Sequence, residues 1–487
     1  MKKKQIHFVG IKGVGMTPLA LIAKEAGFAV TGSDVDGEFI TDAALKKAKI
    51  SPFVGFSPEH IKKPDLVITT GAHGGYDNIE VKTAKEKKIP VLSQGEAVGA
   101  FMKGEFLEKK MVGISVAGVH GKTTTSAMLA TILTENKFDP SFVIGTGDVG
   151  SLGTPGHFGK GKYFVAEADE YATEPQYDKQ AKFLWQHPKI AIITNIEHDH
   201  PDIYPTLQDV HNAFIQFAEQ VPDKGTLIVC GDDPGVKTLL KDLDASAKRR
   251  FAKGEKVGAK KRVVTYGFSP ENDYVITRLT ISGEQTFFWV ETQGTSLGEF
   301  VLRVIGEHNA QNAVATIVAC HELGLSLEKI KKGLHAFTGS RRRLEFMGDL
   351  LTGAKVYDDY AHHPTEIKKT LGALRKQYPK KKIICVFQPH TYSRTKALFK
   401  DFVSAFESVD TVLLTDIYAS LREKPDSSVS SSLLAQTMSD HHKEVIYLPQ
   451  LSDVVQYIDK KRLRSDSIIV TMGAGDIYSI HAKLRFA

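Results

Sequence analysis

The chain has 487 residues, 42% of them hydrophobic and 25% charged, which suits a soluble globular protein of about three domains. No apolar run approaches the roughly 18 residues of a membrane span, and a net charge of +6 is modest for this length. Cys230, Cys320 and Cys385 lie far apart without metal-ligand spacing, so they read as small buried hydrophobes of a reducing cytoplasm.

The opening MKKKQIHFVGIKGVGMTPLA sets lysines before an apolar stretch, as a signal peptide does. Lys12 and the glycines Gly10, Gly13 and Gly15 interrupt it, and no clean cleavage site follows, so it reads as a buried strand and loop. A helix over MTPLALIAKEAGF and a strand at AVTGSD complete a βαβ start. DLVITTG and IPVLSQ continue the alternation and define a parallel α/β domain over residues 1–108. The loop GIKGVGM, with Asp34 about 20 residues on, mimics a dinucleotide fingerprint. A dehydrogenase is one reading of it, although a UDP group can use the same helix N-terminus.

A second start follows at VAGVHGKTTT, residues 116–125, set between a β-branched strand and an amphipathic helix. Gly121, Lys122 and Thr123 match the end of a Walker A loop, where backbone N–H groups and a lysine receive phosphate. The usual first glycine is replaced by Val116, and an extra glycine stands at Gly118. An ordinary helix cap accounts for threonines but not for Gly-Lys. Lys122 is expected at the β- and γ-phosphates and Thr123 at Mg²⁺. Two strand ends are acidic: EADE (Glu167, Asp169, Glu170) and NIEHDHPD (Asn195, Glu197, His198, Asp199, His200). Parallel strands bring such ends to the edge that carries the phosphate loop. His200 is an unusual donor for Mg²⁺, which favours oxygen. Beyond lies the densest basic stretch, residues 248–262, which reads as a solvated insertion because no nucleic-acid motif accompanies it. A nucleic-acid-dependent ATPase stays open on these residues. Long mixed sequence then runs to GEHNAQNA, where a loop feeds a helix, and this central P-loop domain spans residues 109–337.

The third segment, residues 338–487, alternates strand and helix through VYDDYAHHPTE, KIICVFQPHTYSRT, TVLLTDIYA and DSIIVTMGAGDI. His362 and His363 suggest a metal pair, but adjacent histidines before a proline point apart, so a hydrogen-bonding role is expected. PDSSVSSS, residues 425–432, reads as a mobile loop, and Trp185 and Trp289 as packing residues.

The motifs AGVHGKTTT, EADE, TNIEHDHPD, GEHNAQNA, RRRLEF, VYDDYAHHPTE, QPHTYSRT and VTMGAGDI, in this order, together resemble the Mur ligases of peptidoglycan synthesis. The resemblance implies an α/β protein of three domains: an N-terminal Rossmann-like UDP-sugar domain, a central ATPase with a parallel sheet, and a C-terminal Rossmann-like domain for the amino acid. It implies ATP-dependent amide formation between L-alanine and UDP-N-acetylmuramate, with Mg²⁺. Gly13, Val14, Gly15, Met16, Ser33 and Asp34 would serve the UDP-sugar. Gly118, His120, Gly121, Lys122, Thr123 and Thr124 would hold ATP from the loop. His308 and Asn309 would sit at the adenine, and Arg342, Arg343 and Asp359 would reach ATP from the third domain. Thr123, Glu170 and His200 would hold metal, and Tyr360, His390 and Arg394 would face the amino acid. Lys122, Glu170, His200 and Arg343 would carry the catalysis. Lys12 departs from the family's glycine run. EADEYATEPQYDKQAKF looks more like the relative that attaches a ready-made tripeptide, whereas QPHTYSRTKALF and VTMGAGDI side with L-alanine. A cytoplasmic monomer or homodimer acting on small molecules, without nucleic acid or membrane, completes the expectation.

Overall fold

The computed structural model describes residues 3–106, 109–252, 261–419 and 423–487. Most of the basic stretch 248–262 falls outside them. Three large sheets succeed one another along the described residues, and a two-stranded hairpin, Ala172–Glu174 with Asp178–Ala181, is inserted within the second domain.

The first is five-stranded and parallel, in the order Phe53–Val54, Ala29–Asp34, Gln5–Val9, Leu66–Thr69, Val91–Ser93. The opening segment that imitates a signal peptide supplies its central strand, with Phe8 and Val9 fully buried. The glycine loop leaves the end of this strand, where the strand order reverses and ligands of open α/β sheets bind. Pro18 occupies the first turn of the helix Thr17–Glu25, a position that needs no N–H.

The central sheet is ten-stranded. Its middle is parallel: Thr226–Cys230, Ile190–Ile193, Val112–Ala117 and Tyr163–Glu167 lie side by side. Their C-terminal ends therefore set residues 118–123, 194–200 and 167–170 on one edge. The sequence reading expects an amphipathic helix after the phosphate loop. The helix Lys122–Glu135 is instead buried on all sides from Thr123 to Leu133, between the sheet and the helices Glu307–Glu322 and Leu327–Ala336. Gly333 permits the closest approach, because a Cβ there would come within 2.6 Å of Ile132.

Both edges of this sheet depart from the expected parallel pattern: at one, the short strand Gly156–His157 pairs antiparallel with Ser141–Val143, and the other is built of hairpins. Tyr274–Ser282, Gln285–Thr292 and Thr295–Leu302 form antiparallel hairpins. Alternate residues Thr286, Phe288 and Val290 face the core while their neighbours are partly solvated, as expected for a sheet with one wet face.

The third sheet runs Glu345–Asp349, Lys355–Asp359, Ser467–Met472, Lys382–Phe387, Thr411–Leu414, Val445–Tyr447, and only its first strand is antiparallel. PDSSVSSS is partly built in: the Ser430 hydroxyl caps the helix Ser431–Ser439, and Asp426 pairs with Lys396 at 3.0 Å. The three cysteines are buried and free. Trp185 donates to the Thr173 hydroxyl at 2.9 Å, and Trp289 lies under the Arg278 guanidinium.

Candidate active site

The extra glycine of the phosphate loop has a structural cause. Gly118 has φ +130°, and a Cβ there would lie 2.1 Å from the Thr194 hydroxyl and 3.0 Å from the Asn195 nitrogen. The loop is thus pressed against the neighbouring strand end, and Asn195 Oδ1 accepts from the His120 N–H at 2.8 Å. Gly121, at φ +82°, precedes the helix, and a Cβ there would meet Asn312 Oδ1 at 2.5 Å. Val116 stays inside the strand, fully buried.

Lys122 Nζ lies 2.8 Å from Glu170 Oε2. Burial works against its charge, but Glu170, Asp169 and Glu167 outweigh that and raise its pKa. The Thr123 hydroxyl donates to Glu167 Oε1 at 3.1 Å and accepts from Arg343 Nη2 at 3.2 Å, so the third domain already touches the phosphate loop. His200 has φ +57° and places Nε2 3.4 Å from Glu170 Oε1. Glu170, Asp199 and His200 each offer one ligand atom within 4.8 Å of the others.

Two cavities meet at the loop. One, of about 370 Å³, is bounded by His120, Gly121, Thr124, His308, Asn309 and Asp359, among others. Burial pushes His308 down to about 4 and Asp359 up to about 7, so His308 is neutral at physiological pH. The other, also about 370 Å³, draws on all three domains: Gly13, Val14, Gly15 and Met16 from the first, Lys122, Thr123, Glu170 and His200 from the second, Arg343 and Tyr360 from the third. Gly121, Arg343 and Glu366 border both cavities.

Several expected residues stand elsewhere. The Ser33 hydroxyl donates to Glu80 in the interior of the first domain. Asp34 accepts from the Lys12 N–H at 2.7 Å, behind the glycine loop. The Lys12 ammonium points to the Gly37 carbonyl, 2.9 Å away, and to the Phe39 ring. Arg342 is buried within its own domain, held by Asp358 at 2.9 Å and by the Gly473 carbonyl at 2.6 Å. Arg394 and His390, by contrast, stay together at the edge of the site: Arg394 hydrogen-bonds to His390 Nδ1 at 3.1 Å and pairs with Asp199, which borders the three-domain cavity.

Glu366 is a site residue that sequence reading missed. Its Oε1 is 3.4 Å from both His120 Nδ1 and Arg343 Nη1. Burial opposes its charge, yet His120 above all holds its pKa well below the usual carboxylate range. In sequence it is an acid in the first turn of a helix, which needs no further role. Asn312 left a better signal, since it stands four residues after His308, on the same helix face.

This assembly defines a three-domain α/β P-loop protein whose phosphate loop is closed from both sides. The Mur ligase family, catalytic domain matches residues 5–106, the Mur ligase middle domain 116–320, and the Mur ligase, glutamate ligase domain 342–475. The chain is 39% identical to the UDP-N-acetylmuramate–L-alanine ligase of Acetivibrio thermocellus, covering 98% of this chain and 95% of that one. The enzyme of the same name from Desulfitobacterium hafniense is 38% identical, with 98% and 99% covered. The crystal structure of UDP-N-acetylmuramate-alanine ligase from Thermotoga maritima superposes with a TM-score of 0.78 at 27% identity, over 98% and 97% of the two chains. A murein peptide ligase from Psychrobacter arcticus, at 24% identity and TM-score 0.69, bears on the fold alone. The chain belongs to the Mur ligase family.

Proposed function

We propose that this protein joins L-alanine to the lactyl carboxylate of UDP-N-acetylmuramate at the expense of ATP, in peptidoglycan precursor synthesis. The observation that carries the reading is the cavity where the glycine loop of the first domain, Lys122 of the second and Arg343 of the third converge.

A carboxylate and an amine do not condense unaided, because oxide is too poor a leaving group. A carboxylate oxygen attacks the γ-phosphorus of ATP and ADP leaves. The alanine nitrogen then attacks the acyl carbon, and the tetrahedral adduct expels phosphate. With the adenosine in the cavity of His308 and Asn309, the phosphates run over Gly121 towards the glycine loop. Lys122 and Arg343 offset charge on the transferred group, and the enclosing domains keep water from the acyl phosphate. Thr123, Glu170 and His200 would hold Mg²⁺, and of these the hydroxyl and the carboxylate suit a hard cation. When bound, the ion neutralises phosphate charge. Tyr360, His390 and Arg394 would receive the amino acid.

The tripeptide-like motif straddles the site: its Glu170, Tyr171 and Lys182 line the three-domain cavity that Tyr360 also borders. Its hairpin, Ala172–Glu174 and Asp178–Ala181, leans on the first domain, where the Tyr177 hydroxyl donates to Asp77 at 2.6 Å. L-alanine is the favoured amine because the relatives at 39% and 38% identity are named for it. Junctions near residues 108 and 337 are supported by the helix ending at Lys103 ahead of strand Val112–Ala117, and by the helix ending at Ala336 ahead of strand Glu345–Asp349. A cytoplasmic monomer or homodimer fits these substrates, and no helix among the described residues is long and apolar enough to cross a membrane.

The test is phosphate release from ATP and UDP-N-acetylmuramate across a panel of amines. Release that depends on L-alanine supports the reading. Release with the tripeptide alone refutes it.

A further inference from the structure

The two histidines of DDYAHHPTE part company. His362 turns to the Tyr360 carbonyl and the His390 ring, while His363 turns to the central domain and faces the P-loop residue His120, ring centroids 4.7 Å apart. Glu197, beyond the strand Ile190–Ile193, stands between them. Its Oε2 is 3.6 Å from His120 Nε2 and 3.7 Å from His363 Nδ1. One ligand atom from each of the three lies within 4.8 Å of the other two. His120 and His363 are 6% and 5% exposed, and in each the Nε2 atom is buried without a hydrogen-bond partner.

We propose that His120, Glu197 and His363 form a binding site for a transition-metal ion of the Zn²⁺ class, distinct from the proposed Mg²⁺ position at Glu170 and His200. Two imidazoles and one carboxylate are a borderline-soft set, which Zn²⁺ takes and Mg²⁺ does not. Bonds of about 2.1 Å set tetrahedral donors about 3.4 Å apart, so the two spacings to Glu197 need only slight contraction, while the two histidine nitrogens close from within 4.8 Å.

The surroundings are those of a supported metal site. Glu366 Oε1 faces His120 Nδ1 at 3.4 Å and keeps a proton there, so the ion binds at Nε2 in exchange for the second proton of the imidazolium. The Thr365 hydroxyl donates to Glu197 Oε2 at 2.6 Å and fixes the carboxylate. His363 Nδ1 holds only a long cap from the Thr365 N–H, at 3.3 Å, which the ion replaces. His120 and Glu197 border the cavity assigned to the nucleotide, so the fourth coordination position opens towards it.

Two ligands belong to the central domain and one to the C-terminal domain. The ion therefore ties the domains in the closed arrangement, and its binding slows any turnover that requires them to part.

Co²⁺ is the probe, added to the full chain in excess Mg²⁺ and displaced afterwards with Zn²⁺. The expected result is one equivalent with the intense visible absorption of four-coordinate Co²⁺. His363→Gln and Glu197→Gln should each weaken binding at least tenfold, the lower end of what loss of a supporting group does at metal sites. His200→Asn should leave the band in place. Melting curves identify any variant that does not fold, and the remaining two still decide. No band in the unmodified chain, a band unchanged in a folded His363→Gln or Glu197→Gln variant, or a band lost only in His200→Asn overturns the proposal.

Discussion

Arg394 of the C-terminal domain and Asp199 of the central domain meet through Nε and Oδ1 at 2.8 Å, each 4% exposed. Burial opposes the charge on Asp199, and Arg394 more than compensates, holding the carboxyl well below its usual range. Breaking a buried pair from one side costs about 3–5 kcal/mol. Here the domains can part and rehydrate Asp199, so the loss falls on closure rather than on either domain's folding. Arg394→Ala should lower kcat/KM for L-alanine about a hundredfold or more, the rate equivalent of about 3 kcal/mol, with little change in melting temperature. Arg394→Lys should recover part of it. Steady-state ligation and calorimetry on both variants check this.

Lys122→Ala should abolish ligation. Loss of one preorganised group facing transition-state charge lowers kcat about 10²–10³-fold, and here it also leaves Glu170 buried without its cation. UDP-N-acetylmuramate binding should be largely intact, because the glycine loop of the first domain is untouched. ADP release and a binding titration separate the two effects, and unchanged turnover refutes the assignment of the lysine.

Gly118→Ala should damage the loop more than its size suggests. The position combines φ +130° with a Thr194 oxygen 2.1 Å from where the Cβ would stand. Such a backbone conformation costs a non-glycine residue roughly 1–3 kcal/mol before any clash is counted. Loss of ATP binding, with a lowered melting temperature, is the expected outcome.

Asp359 gives a pH signature. Burial raises its pKa from the ordinary 3.8 to about 7 in the fold. Its contribution to stability is therefore complete below the unfolded value and lost as pH rises through about 7. Asp359→Asn does not titrate, so the variant should gain on the parent between about pH 4 and 7, by a few kcal/mol in order of magnitude. Above about pH 7 the difference should be flat. Denaturant titrations of the nucleotide-free chain across this range read it directly.

The parts of the site that sequence made legible are those held by main-chain geometry. A Gly-Lys-Thr turn and two acidic strand ends reveal themselves because parallel strands fix where their ends fall. The wet hairpins between Tyr274 and Leu302 left a weaker signal, since their period of two is interrupted by register shifts at Ile276 and Val290. The buried helix after the loop looks amphipathic only while the helices covering its outer face are unknown. The role of Glu366, and the partners of Asp199 and Glu197, were hidden for another reason. These contacts cross between domains, over as many as 246 residues of sequence between His120 and Glu366, and no local pattern records them. Ser33 and Arg342 show the converse, where a motif position is spent on supporting the site from behind.

The most direct test of acyl phosphate formation is oxygen transfer. UDP-N-acetylmuramate labelled with ¹⁸O in its lactyl carboxylate is ligated to L-alanine, and the released phosphate is examined by mass spectrometry. One ¹⁸O in each phosphate from fully labelled substrate is the expected result. Phosphate free of label would mean that the carboxylate never carried the γ-phosphoryl group, and the proposed chemistry of the Lys122 site would be contradicted.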